Sequence, residues 1–334
     1  MPVQQFVNDP QNFVAEALEG LEYTHPHLIR WNREPSFVVR LSDAPAPKVA
    51  LLSGGGSGHE PLHTGFVGHG MLDAAVPGEV FASPTAYQIK AATDAVDRGH
   101  GIVHVVKNYT GDVLNFSIAA ELATDDGRKV ETVLVDDDLA TDSAADGGPG
   151  RRGTAAVVAV EKICGAAAER GADLSQVAML GRRVAAAART MALALAPCTH
   201  PGQQRPSFDL DSGEIELGVG IHGERGIGRR PYGPAQDLLG ELTRPVIEAL
   251  GLRRGDAVIA IVNGLGSTHP LQLSLAHREV VRILGSHGVT VARSLVGSYV
   301  TALDMAGCSV TLLRATDELC GLWDAPVRTP ALTW

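Results

Sequence analysis

The chain has 334 residues, 45% hydrophobic and 20% charged, enough apolar material for about two globular domains. Its formal charge of −10 lacks the basic excess that a nucleic-acid or anionic membrane partner calls for, so neither is expected. The N-terminus MPVQQFVNDPQNFV has no basic start and no apolar run, and no segment approaches the ~20 apolar residues of a membrane helix. Cys164, Cys198, Cys308 and Cys320 show no C-x-x-C spacing, so a reduced, cytoplasmic protein is expected.

In chain order, a helical pattern at 13–21 precedes an apolar, β-branched run at 49–53. A helix at 85–98, a strand at 101–109, a helix at 114–124 and a strand at 130–136 follow. Helical patterns then cover 155–170 and 174–195, the second including the Ala-rich window 184–196. Beyond it come a strand at 214–221, a helix at 236–250, a strand at 257–263, a helix at 271–287, and strands at 289–296 and 309–314. Short apolar runs that stop at glycine or polar clusters predict buried strands. Their alternation with helices predicts an α/β fold of two domains, each a mixed sheet flanked by helices. The composition change near 181–183 places the domains at 1–182 and 183–334. Residues 142–153, DSAADGGPGRRG, are expected as a surface loop.

Five segments could carry chemistry. Ser53-Gly54-Gly55-Gly56-Ser57-Gly58-His59-Glu60-Pro61 follows a strand, where glycines let backbone N–H groups approach a ligand. It lacks the G-K-[ST] of a P-loop and the third glycine of a dinucleotide fingerprint, and a plain tight turn explains it equally well. His59-Glu60-Pro61-Leu62-His63 matches the H-E-x-x-H zinc pattern, but Pro61 and the glycines before it oppose the continuous helix that pattern needs. His63 is therefore expected to be incidental, on a following helix. Lys107 and Asp112 flank a strand end, where α/β ligand sites gather, although a solvated ion pair would look the same. Asp136-Asp137-Asp138 could hold Mg²⁺ or form a loop or helix cap. His222, set between Gly220 and Gly223, is accessible, but a lone histidine is more often a surface or core hydrogen-bonding group.

Together the stretches ALLSGGGSGHEPLHTGFVGHGML, PGEVFASPT, KNYTGDVLNF, VDDD, GRRGTA, EKICGAAAERG, PSF, GVGIHGERGI, LDMAGCSVTLL and LWDAPVRTPAL resemble the substrate-binding subunit family of dihydroxyacetone kinases, in family order from about residue 50 onward. The resemblance implies that His222 attacks the ketone carbon of dihydroxyacetone to give a hemiaminal. It implies that Asp112 accepts the proton of the hydroxyl being phosphorylated, that His59 hydrogen-bonds the substrate and assists transfer, and that Gly56 and Lys107 contact it. It further implies that this chain binds no cofactor or metal and that Asp136–Asp138 are structural. Mg²⁺ and ATP or ADP would sit on a nucleotide-binding partner subunit, and the chain would form a homodimer in glycerol metabolism. The chain is compact at 239–254, where some relatives carry an insertion, and has Glu224-Arg225-Gly226 where Glu-Pro-Gly is frequent. A ketose-sensing regulator, or a kinase subunit for a longer ketose such as erythrulose, is the alternative.

The chemistry suits these roles. A small polyhydroxyl ketone offers little to a hydrophobic pocket, whereas a reversible bond from neutral imidazole to its carbonyl rejects glycerol, which has none. Such an anchor also fixes the terminal hydroxyl for in-line transfer.

Overall fold

The computed structural model describes residues 4–41, 47–142 and 150–334. Most of the loop expected at 142–153 therefore lies outside the described residues. The chain forms two compact units, each assembled from separated segments. One gathers Phe6–Val135, Val157–Ala185 and Gly321–Trp334; the other gathers Asp136–Ala156 and Ala186–Cys320 with Gln4 and Gln5. A single cut at 182/183 does not describe this connectivity, because Asp136–Ala156 packs with residues beyond 186 and Gly321–Trp334 packs with residues before 185.

The unit that begins at Phe6 contains α1 (Phe13–Thr24), a hairpin of β1 (Ile29–Asn32) and β2 (Phe37–Arg40), β3 (Ala50–Ser57) and β4 (Ala74–Val80). It continues with α2 (Ala86–Val96), β5 (Ile102–Lys107), α3 (Thr110–Asp125), β6 (Val130–Val135), α4 (Ala156–Glu169) and α5 (Leu174–Ala186). Its sheet runs β1-β2-β4-β3-β5-β6, with β3 parallel to β4 and β5 and with β1 and β2 antiparallel. The chain fills one side of β3 with β4 and then the other with β5, which leaves a crevice at the carboxyl ends of β3 and β5. Thr85 caps α2 in a reciprocal box with Gln88. The buried faces of α2 and α3, through Ile89, Ala92, Phe116 and Ala119, pack on Leu52, Val76, Ile102 and Val106.

Three differences from the sequence reading have physical reasons. The glycines are strand, not turn: β3 runs through Gly54, Gly55 and Gly56 to Ser57, and positive φ first appears at Gly58. β4 carries Pro77 and Gly78, which argue against a strand; but β2 pairs with it only at Ala74 and Ala75, so Pro77 lies where no ladder bond is required on that side. The hairpin of β1 and β2 is too short, at four residues a strand, to show a period.

The second unit holds β7 (Ala188–Ala196), β8 (Glu214–Leu217), β9 (Gly228–Pro231), α6 (Ala235–Ala249), β10 (Ala257–Gly264), α7 (Pro270–Ser286), β11 (Thr290–Gly297) and β12 (Ala306–Arg314); α8 (Asp317–Trp323) begins at its end. Its sheet runs β11-β10-β12-β7-β8-β9, parallel only between β10 and β11. The helix expected at 174–195 is α5 followed by β7. Alanine favours helix, but β7 is paired on both sides, to β12 and to β8, and this ladder outweighs intrinsic propensity.

Asp137 ties this unit together from a fully buried position. Its carboxylate accepts from Thr154 N (2.6 Å) and Oγ1 (2.8 Å), from Ala156 N (2.9 Å) at the start of α4, and from Thr190 Oγ1 on β7. Asp136 instead pairs with Arg151 at 2.7 Å, where both side chains are part-exposed. Asp137→Ala, which orphans buried donors, should lower the unfolding free energy by about 2–4 kcal/mol in urea titration. Asp136→Ala should cost only about 0–1 kcal/mol in the same measurement.

Candidate active site

Lys107 ends β5 and Asp112 lies in the first turn of α3, two elements joined by a three-residue step, so a strand end and a helix N-terminus converge. The carboxylate gains from the N-terminal helix field. Far from a solvated turn, Lys107 is 0% and Asp112 2% exposed. Lys107 Nζ lies 3.4 Å from Asp112 Oδ2, 3.4 Å from the Gly54 carbonyl and 3.1 Å from His63 Nε2. His63 Nδ1 in turn lies 2.6 Å from Glu161 Oε1, on α4. Asp112 Oδ1 is buried with no hydrogen-bond partner among the described residues, so one carboxylate oxygen is held by Lys107 and the other can accept a proton.

The glycines make this room. A Cβ on Gly55 would run into Lys107 Nζ and approach Asp112 Oδ2 at 3.4 Å and His63 Nε2 at 3.6 Å. A Cβ on Gly56 would meet the backbone of Phe81 and Ala82 at 2.7–2.9 Å. Gly55 is thus the residue whose missing side chain admits the ammonium, while Gly56 lets the 81–82 backbone close against β3. His59, fully buried, stacks on Phe81 with ring centroids 5.1 Å apart. A Cβ on Gly111 would touch Ser83 Oγ at 2.7 Å, which puts a hydroxyl one residue from Asp112.

The zinc geometry is not formed. His59 and His63 sit in turns followed by a single 3-10 turn, Thr64–Phe66, not on one face of a helix. His63 is not incidental on a helix but buried, and its Nε2 faces a lysine ammonium, which would repel a metal ion. Burial, helped by the charges of Lys107 and His59, holds the His63 pKa well below its usual value, so the ring is neutral. Burial raises the Glu161 carboxyl to about 8, against the pull of Ser53 and Lys107.

His222 belongs to the other unit. β8 ends at Leu217, earlier than the expected 221, and His222 sits in the turn that follows, its side chain 21% exposed. That turn is pinned from below. His222 N donates to Glu224 Oε2 at 2.7 Å, and His222 Nδ1 lies 3.9 Å from Glu224 Oε1. Arg152 reaches Glu224 Oε1 at 3.1 Å, the Gly218 carbonyl at 3.0 Å and Asp138 Oδ2 at 2.6 Å. Burial works against ionisation of Glu224, but His222 and Arg152 outweigh it and bring the carboxyl down to about 2. Asp136, Asp137 and Asp138 therefore each serve a protein partner, and Asp138 helps place the histidine loop.

Sequence reasoning assigned no role to His63, Glu161, Arg152, Glu224 or Ser83, although each lies within a quoted motif. The contacts Glu161 makes with residue 63 and Arg152 with residue 224 span 98 and 72 positions, which no local spacing rule can register.

A Dak1 domain model matches residues 19–331. The chain is 44% identical to the dihydroxyacetone-binding subunit DhaK of a PEP-dependent dihydroxyacetone kinase from Escherichia coli, over 99% of both chains. Among solved structures it is similar to the dihydroxyacetone kinase operon co-activator Dha-DhaQ, with a TM-score of 0.89, 32% identity and coverage of 95% and 96% of the two chains. It is also similar to the dihydroxyacetone kinase of C. freundii in complex with AMP-PNP and Mg²⁺, with a TM-score of 0.85, 34% identity and coverage of 98% of this chain and 60% of that one.

The two glycines separate in their expected effects. Gly55→Ala meets the end of a side chain and not backbone, so a crystal structure should show Lys107 displaced, with a smaller loss of melting temperature than Gly56→Ala causes. Gly56→Ala meets rigid backbone and should destabilise by about 1–3 kcal/mol. Equal melting temperatures for the two variants would contradict this assignment.

Proposed function

The chain belongs to the Dak1 domain family as a dihydroxyacetone-binding subunit of a dihydroxyacetone kinase, and from that premise we propose that it holds the ketose as a hemiaminal on His222 for phosphorylation by a nucleotide-bearing partner. The observation that carries the reading is Asp112: a buried carboxylate with one oxygen fixed by Lys107 and the other without a donor among the described residues, set by the carboxyl ends of the parallel strands β3 and β5. That is the arrangement of a general base awaiting a hydroxyl.

Each residue then has a defined task. His222, unprotonated, adds through a ring nitrogen to the carbonyl carbon, and the carbonyl oxygen takes up a proton; the product is a hemiaminal with the ring still aromatic and cationic until it loses its own proton. Glu224, an anion beside that ring, stabilises the positive charge as it forms and orients the imidazole through the shared loop. Asp112 removes the proton from the terminal hydroxyl as the phosphoryl group arrives, and Lys107 keeps Asp112 in place. Gly56 and His59, both in the β3 region, contact the substrate in this reading.

Phosphoryl transfer also needs a nucleotide clamp and Mg²⁺ to neutralise the transferring group. The two segments of the sequence that could have served are engaged otherwise. The Asp136–Asp138 carboxylates are engaged by Arg151, Arg152, Thr154 and Thr190, and the glycines of β3 house a lysine. The C. freundii kinase that was solved with AMP-PNP and Mg²⁺ has two fifths of its chain outside the match, which supports a nucleotide site on a separate partner. A cytoplasmic location and a homodimer complete the proposal; among the described residues no helix is long and apolar enough to cross a membrane.

The similarity to the operon co-activator keeps a ketose-sensing role as the second reading. The ordered Lys107–Asp112 pair favours catalysis, because sensing needs the anchor and not a base.

Three measurements test the proposal. Crystals soaked with dihydroxyacetone should show continuous density from a His222 ring nitrogen to the ketone carbon, and His222→Ala should lose it. Asp112→Asn should keep that adduct but slow phosphorylation, with the partner present, by about 10²-fold or more. The isolated chain with ATP, Mg²⁺ and dihydroxyacetone should give no dihydroxyacetone phosphate above background; robust turnover would place the nucleotide site on this chain.

A further inference from the structure

Three buried groups form a line that the proposed chemistry does not use in full: Glu161 on α4, His63 in the turn after β3, and Lys107 at the end of β5. Their exposures are 0%, 4% and 0%. Burying a carboxyl group, an imidazole and an ammonium is costly unless each satisfies another, and here every junction is a hydrogen-bond distance, 2.6 Å and then 3.1 Å.

The chemistry of the junctions fixes the proton on the ring. Lys107 as an ammonium has three donors and no acceptor, so the His63 Nε2 that faces it must offer a lone pair. The ring proton then sits on Nδ1, pointing at Glu161 Oε1, which accepts it. Without an acceptor at that place the imidazole has no reason to keep this tautomer. In the other tautomer an N–H would point at the N–H of Lys107, and the ammonium would be driven from its place 3.4 Å from Asp112.

We infer that Glu161 and His63 are positioning residues for phosphoryl transfer: the Oε1 oxygen of Glu161, an acceptor whether or not Oε2 carries a proton, selects the Nδ1–H tautomer of His63, whose Nε2 then fixes the Lys107 ammonium beside Asp112. The inference rests on the reading of Lys107 and Asp112 given above. It adds a carboxylate–imidazole pair, far from Asp112 in sequence, that touches neither substrate nor nucleotide. The groups facing this line from neighbouring elements are Ser53 on β3, His59 in the same turn as His63, and the Gly54 carbonyl. None of these can replace Glu161 as the acceptor for Nδ1, because Glu161 Oε1 already occupies that direction.

The test combines spectroscopy with kinetics on the full chain and its partner. With ¹⁵N-labelled histidine, the His63 resonances, assigned by their loss in His63→Leu, should show a neutral ring protonated at Nδ1 between pH 6 and 8. A ring protonated at Nε2, or a cation, would overturn the inference. Glu161→Leu should lower kcat by about 10²-fold, the scale of an ångström-level misplacement, with KM for dihydroxyacetone little changed because the anchor is elsewhere. Glu161→Gln, whose amide oxygen can still accept from Nδ1–H, should restore most of the rate. A wild-type kcat for Glu161→Leu overturns the inference. Lys107→Met separates the two levels: if it turns over normally, the role of Lys107 itself is wrong, whereas a slow Lys107→Met beside a fast Glu161→Leu sinks only the relay. Should Glu161→Leu not fold, the His63 tautomer in the wild-type chain decides alone.

Discussion

A lysine ammonium with no exposure at the end of the parallel strand β5 constrains everything around it. It cannot remain charged there without acceptors, and the chain supplies the Gly54 carbonyl, His63 Nε2 and Asp112 Oδ2. To admit the head group, the neighbouring strand must lack a side chain at residue 55. To bring the imidazole within reach, the chain after β3 must turn back instead of entering a helix, which removes the geometry that an H-E-x-x-H pattern would need. The glycine run, the bent histidine segment and the helix that begins at Thr110 are three answers to one electrostatic demand.

The other unit solves a simpler problem with the same economy. One guanidinium, that of Arg152, reaches a carboxylate from the aspartate run, a backbone carbonyl at Gly218 and the carboxylate of Glu224. A planar fork with five donors can join three elements at once, which an ammonium could not do with the same fixed directions. The loop that carries His222 is therefore held by its base while the imidazole remains partly exposed.

Much of this was legible in the sequence. The β-branched runs that became β5, β10 and β12 announced buried strands, whereas β6 is a half-exposed edge, and the alternation announced layered sheets with helices. Of the residues that the ordered motifs singled out, Lys107 and Asp112 are brought together at one strand end. Other features depend on what lies across the sheet. β7 is built from alanines that favour helix, and only its neighbours β12 and β8 make it a strand. β4 tolerates Pro77 because its pairing to β2 stops at Ala75. The triple aspartate looked like a metal site or a loop, and its separate engagements with Arg151, Thr154 and Arg152 follow only from the folded path of residues 150–156. His63 was set aside as incidental on a following helix, whereas the turn it occupies places it against Lys107.

The interleaved path of the chain has a consequence for how the molecule is made. Gly321–Trp334 belongs to the unit that begins at Phe6. The Lys162 ammonium, lowered to about 8 chiefly by burial, finds its acceptors at the carbonyls of Leu322 and Ala325, with the Trp334 ring 5.5 Å away. While a ribosome is still translating the middle of the message, the earlier-made unit lacks the strap that neutralises this buried cation. Vectorial synthesis then cannot complete the unit that begins at Phe6 until residues 321–334 have emerged, although every segment of the other unit has been made by then.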